Sequence, residues 1–440
     1  MHADTLLYNG PVLSMAAGEE LIECGYVAVT DGCIREVGRC GAAGPPDVSA
    51  DERMDLSGNL VMPGLVNAHT HAAMTFFRGL ADDLPLMDWL QNYIFPVEKD
   101  LTDERVYWGT KLACLEMIAG GTTCFCDMYL FEEATAKAAD ESGLRAVVGE
   151  VLYDFPSPNY GPPEEGLKYS RRMLEKWQNH ERIRVAVEPH APYTCSPDLL
   201  RQCADLAAEF DAPLISHLAE TAHEVGQIGE TYGVTPVQHY AQLGLLGPRF
   251  IADHAVHVTD EDIRILAEAE ARIVHNPESN MKLASGTMPL QKMLSSGLTV
   301  ALGTDGCGSN NNLDLFQEMD TAAKLDKLTQ HDLAAVPARS IVEMATIQGA
   351  RALGLETSTG SLEPGKSADL IIVDFDQPHL TPVYDYISHL VYCARGADVS
   401  HTMVGGRWLM RDRTVLALDE EEVYSEIRPI ADAIRNRVAV

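Results

Sequence analysis

From about residue 60 onward, short apolar runs alternate with longer stretches whose apolar residues recur at helical spacing. Candidate strands lie near 60–67, 122–128, 144–152, 183–189, 213–218, 250–255, 271–275 and 299–303. Helical segments fall between them at 103–119, 132–142, 164–180, 197–210, 260–269 and 287–296, and another follows at 337–354. Such alternation is the signature of βα units feeding a parallel sheet. It predicts an α/β protein built on a (β/α)8 TIM barrel, in which working groups sit at the C-terminal ends of the strands.

The two ends of the chain have a different texture. Thr5–Tyr8, Tyr26–Val29 and Cys33–Val37 read as short strands, with Asp31-Gly32 as a hairpin turn. Leu370–Asp374 and Val399–Leu409, around Gly405-Gly406, return to the same pattern. The expected organisation is therefore a small β-sandwich domain made from 1–60 and 357–415, a barrel over 61–356, and a terminal helix within 416–440.

Composition narrows the function. The 33 basic against 65 acidic residues give a formal charge of −32, which argues against nucleic acid or an anionic membrane as partner. Ten scattered cysteines without a C-x-x-C pair read as reduced thiols, and the N-terminal residues lack a signal-peptide pattern, so a cytoplasmic location is expected.

The chemistry concentrates at the strand ends. The first candidate strand leads into Pro63-Gly64-Leu65-Val66-Asn67-Ala68-His69-Thr70-His71. On extended backbone, residues two apart face the same side, so both histidines can reach one ion. The fourth strand ends at His190, the fifth at His217, the sixth at Asp253-His254, the seventh at His275 and the eighth at Asp305. One histidine after an apolar run is more often structural than functional, but six such ends in one barrel converge on one mouth.

His69, His71, His217 and Asp305 make a four-ligand set of nitrogen and oxygen donors. That set suits one Zn²⁺, and Fe²⁺ or Mn²⁺ fits the same shell. The ion would lower the pKa of bound water. Glu220, three residues beyond His217, is the candidate proton carrier, although a first-turn carboxylate is also favoured by the helix dipole. Asp305 is a candidate proton acceptor, and His254 a candidate holder of the attacked water or the developing charge. His190 is assigned to substrate, and His275 to ordering the loop with Asn276, Ser279 and Asn280.

Pro63–His71, Pro189–Cys195, His217–Thr221, His275–Asn280 and Gly303–Gly306 together resemble the amidohydrolase superfamily, and within it the methylthioadenosine/S-adenosylhomocysteine deaminase branch. The resemblance extends over nearly the whole chain, as far as Leu362–Asp369. It implies a metal-bearing barrel with a terminal β-sandwich and hydrolysis of the adenine 6-amino group of a small-molecule nucleoside. It further implies that Glu98 binds ribose hydroxyls, that His190 and Glu220 contact the base, that Trp89 packs near it, and that the protein is a homo-oligomer. Deaminases or chlorohydrolases acting on guanine, cytosine, a pterin or a triazine are the alternative.

One departure stands out. Where the branch commonly carries an arginine that meets the substrate, this chain has Glu150. A glutamate there would repel the carboxylate of an amino-acid tail, favouring methylthioadenosine, adenosine or 5′-deoxyadenosine over S-adenosylhomocysteine. The competing reading is a structural carboxylate.

Overall fold

The structure is a computed structural model, and it describes residues 2–18, 21–41, 48–80, 83 and 93–438. Strands β1 (His2–Val12), β2 (Ile22–Thr30), β3 (Cys33–Arg39), β4 (Ser49–Asp55) and β5 (Leu60–Pro63) open the chain. The predicted turn between β2 and β3 forms, with both Asp31 and Gly32 at positive φ, as a two-residue hairpin needs. β4 went unrecognised in the sequence because Ser49–Asp55 is polar along most of its length.

Nine strands then form two parallel arrays. The first contains β6 (Leu65–Thr70), β7 (Thr122–Tyr129), β8 (Arg145–Leu152), β9 (Ile183–Val185) and β10 (Glu188–Pro189). The second contains β11 (Leu214–Leu218), β12 (Phe250–His254), β13 (Arg272–His275) and β14 (Thr299–Leu302). The ladders do not run on as one eight-stranded ring. At one seam the ladder is reduced to one bridge, Val187 to Leu214, with a further bond from the His217 N–H to the His190 carbonyl at 3.0 Å. At the other, side chains substitute for part of the ladder: Asn67 accepts from the Thr304 N–H at 3.0 Å and donates to the Thr304 hydroxyl at 2.7 Å. One backbone bond completes that seam, from the Asp305 N–H to the His69 carbonyl at 3.0 Å.

Two predicted strands are broken. The run 60–67 divides at Gly64 into β5, which joins the terminal sheet, and β6, which joins the first parallel array. A Cβ at Gly64 would lie 2.1 Å from the Thr123 side chain, so the crossing between sheets requires glycine. The fourth strand is interrupted between β9 and β10.

β15 (Leu370–Val373), β16 (Val399–Val404), β17 (Arg407–Arg411) and β18 (Thr414–Val415) return to the terminal strands. Both chain ends thus share one nine-stranded hydrogen-bonded sheet, with β15 antiparallel to β5. It buries its own apolar set, including Leu7, Val27, Ile34, Val61, Leu370 and Met403. Arg145 ties this sheet to the parallel strands: its buried guanidinium meets Asp369 at 3.1 Å and Ser367 at 3.1 Å.

The predicted helices appear within a few residues of their expected bounds, apart from 337–354, which divides at Thr346 into Ala338–Met344 and Ile347–Ala352. Helices Ala222–Tyr232, Pro236–Leu243 and Leu315–Gln330 were not anticipated. Among the described residues, no helix is long and apolar enough to cross a membrane.

Candidate active site

His69 is the next-to-last residue of β6, and His71 lies one residue beyond the strand, at the start of a 3-10 turn. Thr70, between them, donates its hydroxyl to Asp127 Oδ1 at 2.5 Å, and the same oxygen accepts the Ala72 N–H. A buried carboxylate on β7 therefore fixes the backbone that carries both histidines. Their ring centroids are 4.9 Å apart, and His217 lies 5.1 Å from His69 and 5.5 Å from His71.

The donor atoms fall into two overlapping groups that share His69. One is His69, His71 and Asp305, and the other is His69, His217 and His254. Asp305 Oδ1 stands 3.1 Å from His71 Nε2 and 3.6 Å from His69 Nε2. The four expected ligands are thus brought together, and His254 joins them, with Nε2 3.9 Å from Asp305 Oδ2.

The ring orientations fit an ion. His71 Nδ1 is engaged by the Met128 carbonyl, His217 Nδ1 by the His190 carbonyl at 2.9 Å, and His254 Nδ1 by Asn280 Oδ1 at 2.9 Å. Each leaves Nε2 for the centre. His69 Nδ1 faces Asp253 Oδ2 at 3.1 Å, while its buried Nε2 has no hydrogen-bond partner among the described residues. A carboxylate behind a ligating histidine fixes the tautomer and makes the nitrogen a better donor. Ser279 and the Gly306 N–H hold Asp305 at 2.6 and 2.8 Å. Donors of this kind, without thiolate, suit zinc, iron or manganese.

Electrostatics divide the ligands: burial lowers His69 and His71, but Asp253 and Asp305 outweigh it and hold both rings above their ordinary value, with protons that a bound ion would replace. Burial pushes the Asp305 carboxyl upward, but the bonds and charges of His69, His71 and His254 outweigh it and hold it well below the usual range. Burial, assisted by the surrounding histidines, holds His217 well below its ordinary value, so the ring is neutral and able to ligate. Asp305 and His254 both sit at positive φ, backbone that non-glycine residues seldom adopt and that functional sites often retain.

Glu220 stands just before Thr221, whose hydroxyl caps helix Ala222–Tyr232. Glu224, in the first turn of that helix, accepts the Ala219 and Glu220 N–H groups at 2.6 and 2.9 Å. The Glu220 side chain is partly exposed and its charge reaches the Tyr193 phenol. His190 is half-buried, bonds Thr194 through Nδ1 at 2.8 Å, and is pulled down to about 4 by burial and the nearby His71 charge. Glu98 accepts from the Tyr129 hydroxyl at 2.8 Å, with the Tyr129 ring 6.0 Å from His71.

Two expectations meet different surroundings, and a third falls outside the described residues. Trp89 lies outside the described residues. His275 is buried, with burial lowering it to about 3, and its Nδ1 has no hydrogen-bond partner among the described residues. Glu150 is not an open substrate-facing charge: it is 1% exposed and accepts the N–H of Glu132 at the start of helix Glu132–Ser142. Burial raises its carboxyl to about 8, so it is chiefly neutral at pH 7 and does not provide the repulsion expected of it. Asp253 and Tyr129 back the site without a role in the sequence reading, whereas Asn280, expected to order the loop with His275, holds His254. The one available signal was Asp253, a charge closing an otherwise apolar strand.

The amidohydrolase family model matches residues 60–409, most of the chain and every residue of the histidine cluster. The chain belongs to the amidohydrolase family. Among family relatives it is 55% identical over 433 residues to a 5-methylthioadenosine/S-adenosylhomocysteine deaminase of Syntrophobacter fumaroxidans, covering 98% of this chain and 99% of the relative. It is 48% identical over 438 residues to a 5′-deoxyadenosine deaminase of Methanosarcina mazei, covering 99% of each. The crystal structure of an adenosine deaminase from Xanthomonas campestris with bound zinc superposes with a TM-score of 0.97 at 37% identity, covering 99% of each chain. Atrazine chlorohydrolase from Arthrobacter aurescens shares the amidohydrolase fold, with a TM-score of 0.89 at 22% identity over 97% of this chain and 100% of that one.

Proposed function

We propose that this amidohydrolase is a zinc-dependent deaminase that converts the adenine 6-amino group of 5′-substituted adenosines to the inosine analogue, releasing ammonia. The carrying observation is the meeting of His69, His71, His217 and Asp305, in a chain near half identical to nucleoside deaminases over its full length. Methylthioadenosine, 5′-deoxyadenosine, adenosine and S-adenosylhomocysteine are the candidate substrates. Because Glu150 is buried and largely neutral, it gives no reason to set the last apart.

His69, His71, His217 and Asp305 would hold the ion, which when bound supplies Lewis acidity that makes water a stronger acid. Glu220 carries a proton to the ring nitrogen beside the attacked carbon, and Asp305 accepts the proton released from water. His254, fixed by Asn280 through Nδ1, turns Nε2 toward the attacking water and accepts from it. His190 binds the base as a neutral ring, and Glu98 takes the ribose hydroxyls. Glu98 favours this reading over a free heterocycle, since a diol-binding carboxylate serves only a substrate with ribose.

The architecture behind this reading is a (β/α)8 barrel over 61–356 with a β-sandwich from 1–60 and 357–415. The two seams, Val187–Leu214 and Asp305–His69, support the barrel, and the separate apolar set of the terminal sheet supports the sandwich.

Running the reaction with methylthioadenosine in H₂¹⁸O tests the proposal. Hydrolysis places one ¹⁸O in the product base, and its rate tracks bound metal across a titration. Unlabelled product, or turnover indifferent to metal, overturns it.

A further inference from the structure

The end of β7 serves two neighbours. The Met128 carbonyl engages Nδ1 of His71, and the next residue, Tyr129, donates its hydroxyl to Glu98 Oε1 at 2.8 Å. Tyr129 is buried, 5% exposed, and its ring lies 6.0 Å from that of His71. Glu98 belongs to a helical segment of only four residues, Phe95–Glu98, too short to hold a side chain rigidly by itself.

We infer, on the deaminase reading above, that Tyr129 is a positioning residue that sets Glu98 at a fixed distance from the histidine cluster to receive the substrate's ribose diol. A phenol has one proton to donate, and giving it to Oε1 leaves Oε2 of Glu98 as the acceptor for substrate hydroxyls. Because β7 also orients His71, the distance from the attacked carbon to the ribose anchor is built into one strand end. A nucleoside then aligns with the site through its sugar, and substrates without the diol lose that alignment. Tyr129 touches no reacting atom in this arrangement. It acts through Glu98.

The test uses full-length, metal-loaded Tyr129→Phe, Glu98→Gln and the double variant, with adenosine and 2′,3′-dideoxyadenosine as substrates. The ratio of kcat/KM on adenosine to that on the dideoxy compound falls roughly tenfold in Tyr129→Phe, the size expected for a hydrogen bond to a charged group, and the change is carried by KM. Adding Tyr129→Phe to Glu98→Gln changes that ratio no further. Calorimetric binding of inosine against 2′,3′-dideoxyinosine shows the same loss without any turnover, and metal content stays at the parent level. An equal fall on both nucleosides in Tyr129→Phe, with Glu98→Gln still discriminating between them, overturns the role of Tyr129 alone. Loss of metal in Tyr129→Phe also overturns it, because the effect would then run through His71. If Glu98→Gln fails to discriminate between the two nucleosides, the ribose reading of Glu98 falls, and this inference falls with it.

Discussion

His71 and Asp305, from opposite ends of the catalytic region, bring a ring nitrogen and a carboxylate oxygen to within 3.1 Å. The pair sits where the two parallel arrays meet, since the Asp305 N–H also bonds the His69 carbonyl. The same seam thus carries three of the residues proposed to hold the metal, His69, His71 and Asp305.

Asp253 supports the ligand at the centre of both donor groups. Its carboxylate faces His69 Nδ1 at 3.1 Å from a fully buried position. Asp253→Asn should weaken metal affinity by about 10–100-fold, the usual cost of losing such a partner. Competition with a chelating dye measures this. Unchanged affinity would show that Asp253 does not orient His69.

Glu220 is assigned to proton transfer and not to holding the ion. Glu220→Gln should keep stoichiometric metal, read by elemental analysis, while kcat falls on the order of 10²–10⁴-fold. Near-parent turnover, or a protein emptied of metal, would remove Glu220 from that role.

Glu150 gives a pH signature. Burial raises its carboxyl to about 8 from an ordinary 4.5. Between those values the unfolded chain releases a proton that the folded chain retains, so this site's contribution to stability falls as pH rises through the window. Glu150→Gln should remove that dependence, gaining on the parent by on the order of a few kcal/mol between pH 5 and pH 8 in denaturant melts. A pH-independent difference would contradict a buried, protonated carboxyl. The selectivity between methylthioadenosine and S-adenosylhomocysteine should stay as in the parent.

Arg145 joins the parallel strands to the terminal sheet through Asp369, which also accepts from Ser367 at 2.7 Å and the Gly405 N–H at 2.8 Å. Removing the guanidinium leaves a buried carboxylate without its counter-charge. Arg145→Ala should therefore lose about 3–5 kcal/mol in equilibrium unfolding. A loss within 1 kcal/mol, the range of an exposed pair, would show that this bridge is not a structural tie.

Much of this was legible in the sequence because period and position carry it. The alternation of apolar runs and amphipathic stretches gave the order of elements, and His69, His71, His217 and Asp305 stood out by lying at or just past the C-terminal ends of apolar runs. What stayed hidden depends on neighbours distant along the chain. The break at Gly64 is set by Thr123, which no local pattern reveals. Tyr129 looked like an ordinary strand aromatic until Glu98 appeared beside it. Glu150 was read as a charge because its letter implies one, whereas burial and the Glu132 N–H decide its state.

The most direct test of the central claim is ammonia release from metal-loaded protein given adenosine, 5′-deoxyadenosine, methylthioadenosine and S-adenosylhomocysteine, beside free adenine and guanine. Release from the nucleosides, with the free bases far behind, is the predicted result. Turnover of a free base alone, or of none of these compounds, would contradict it.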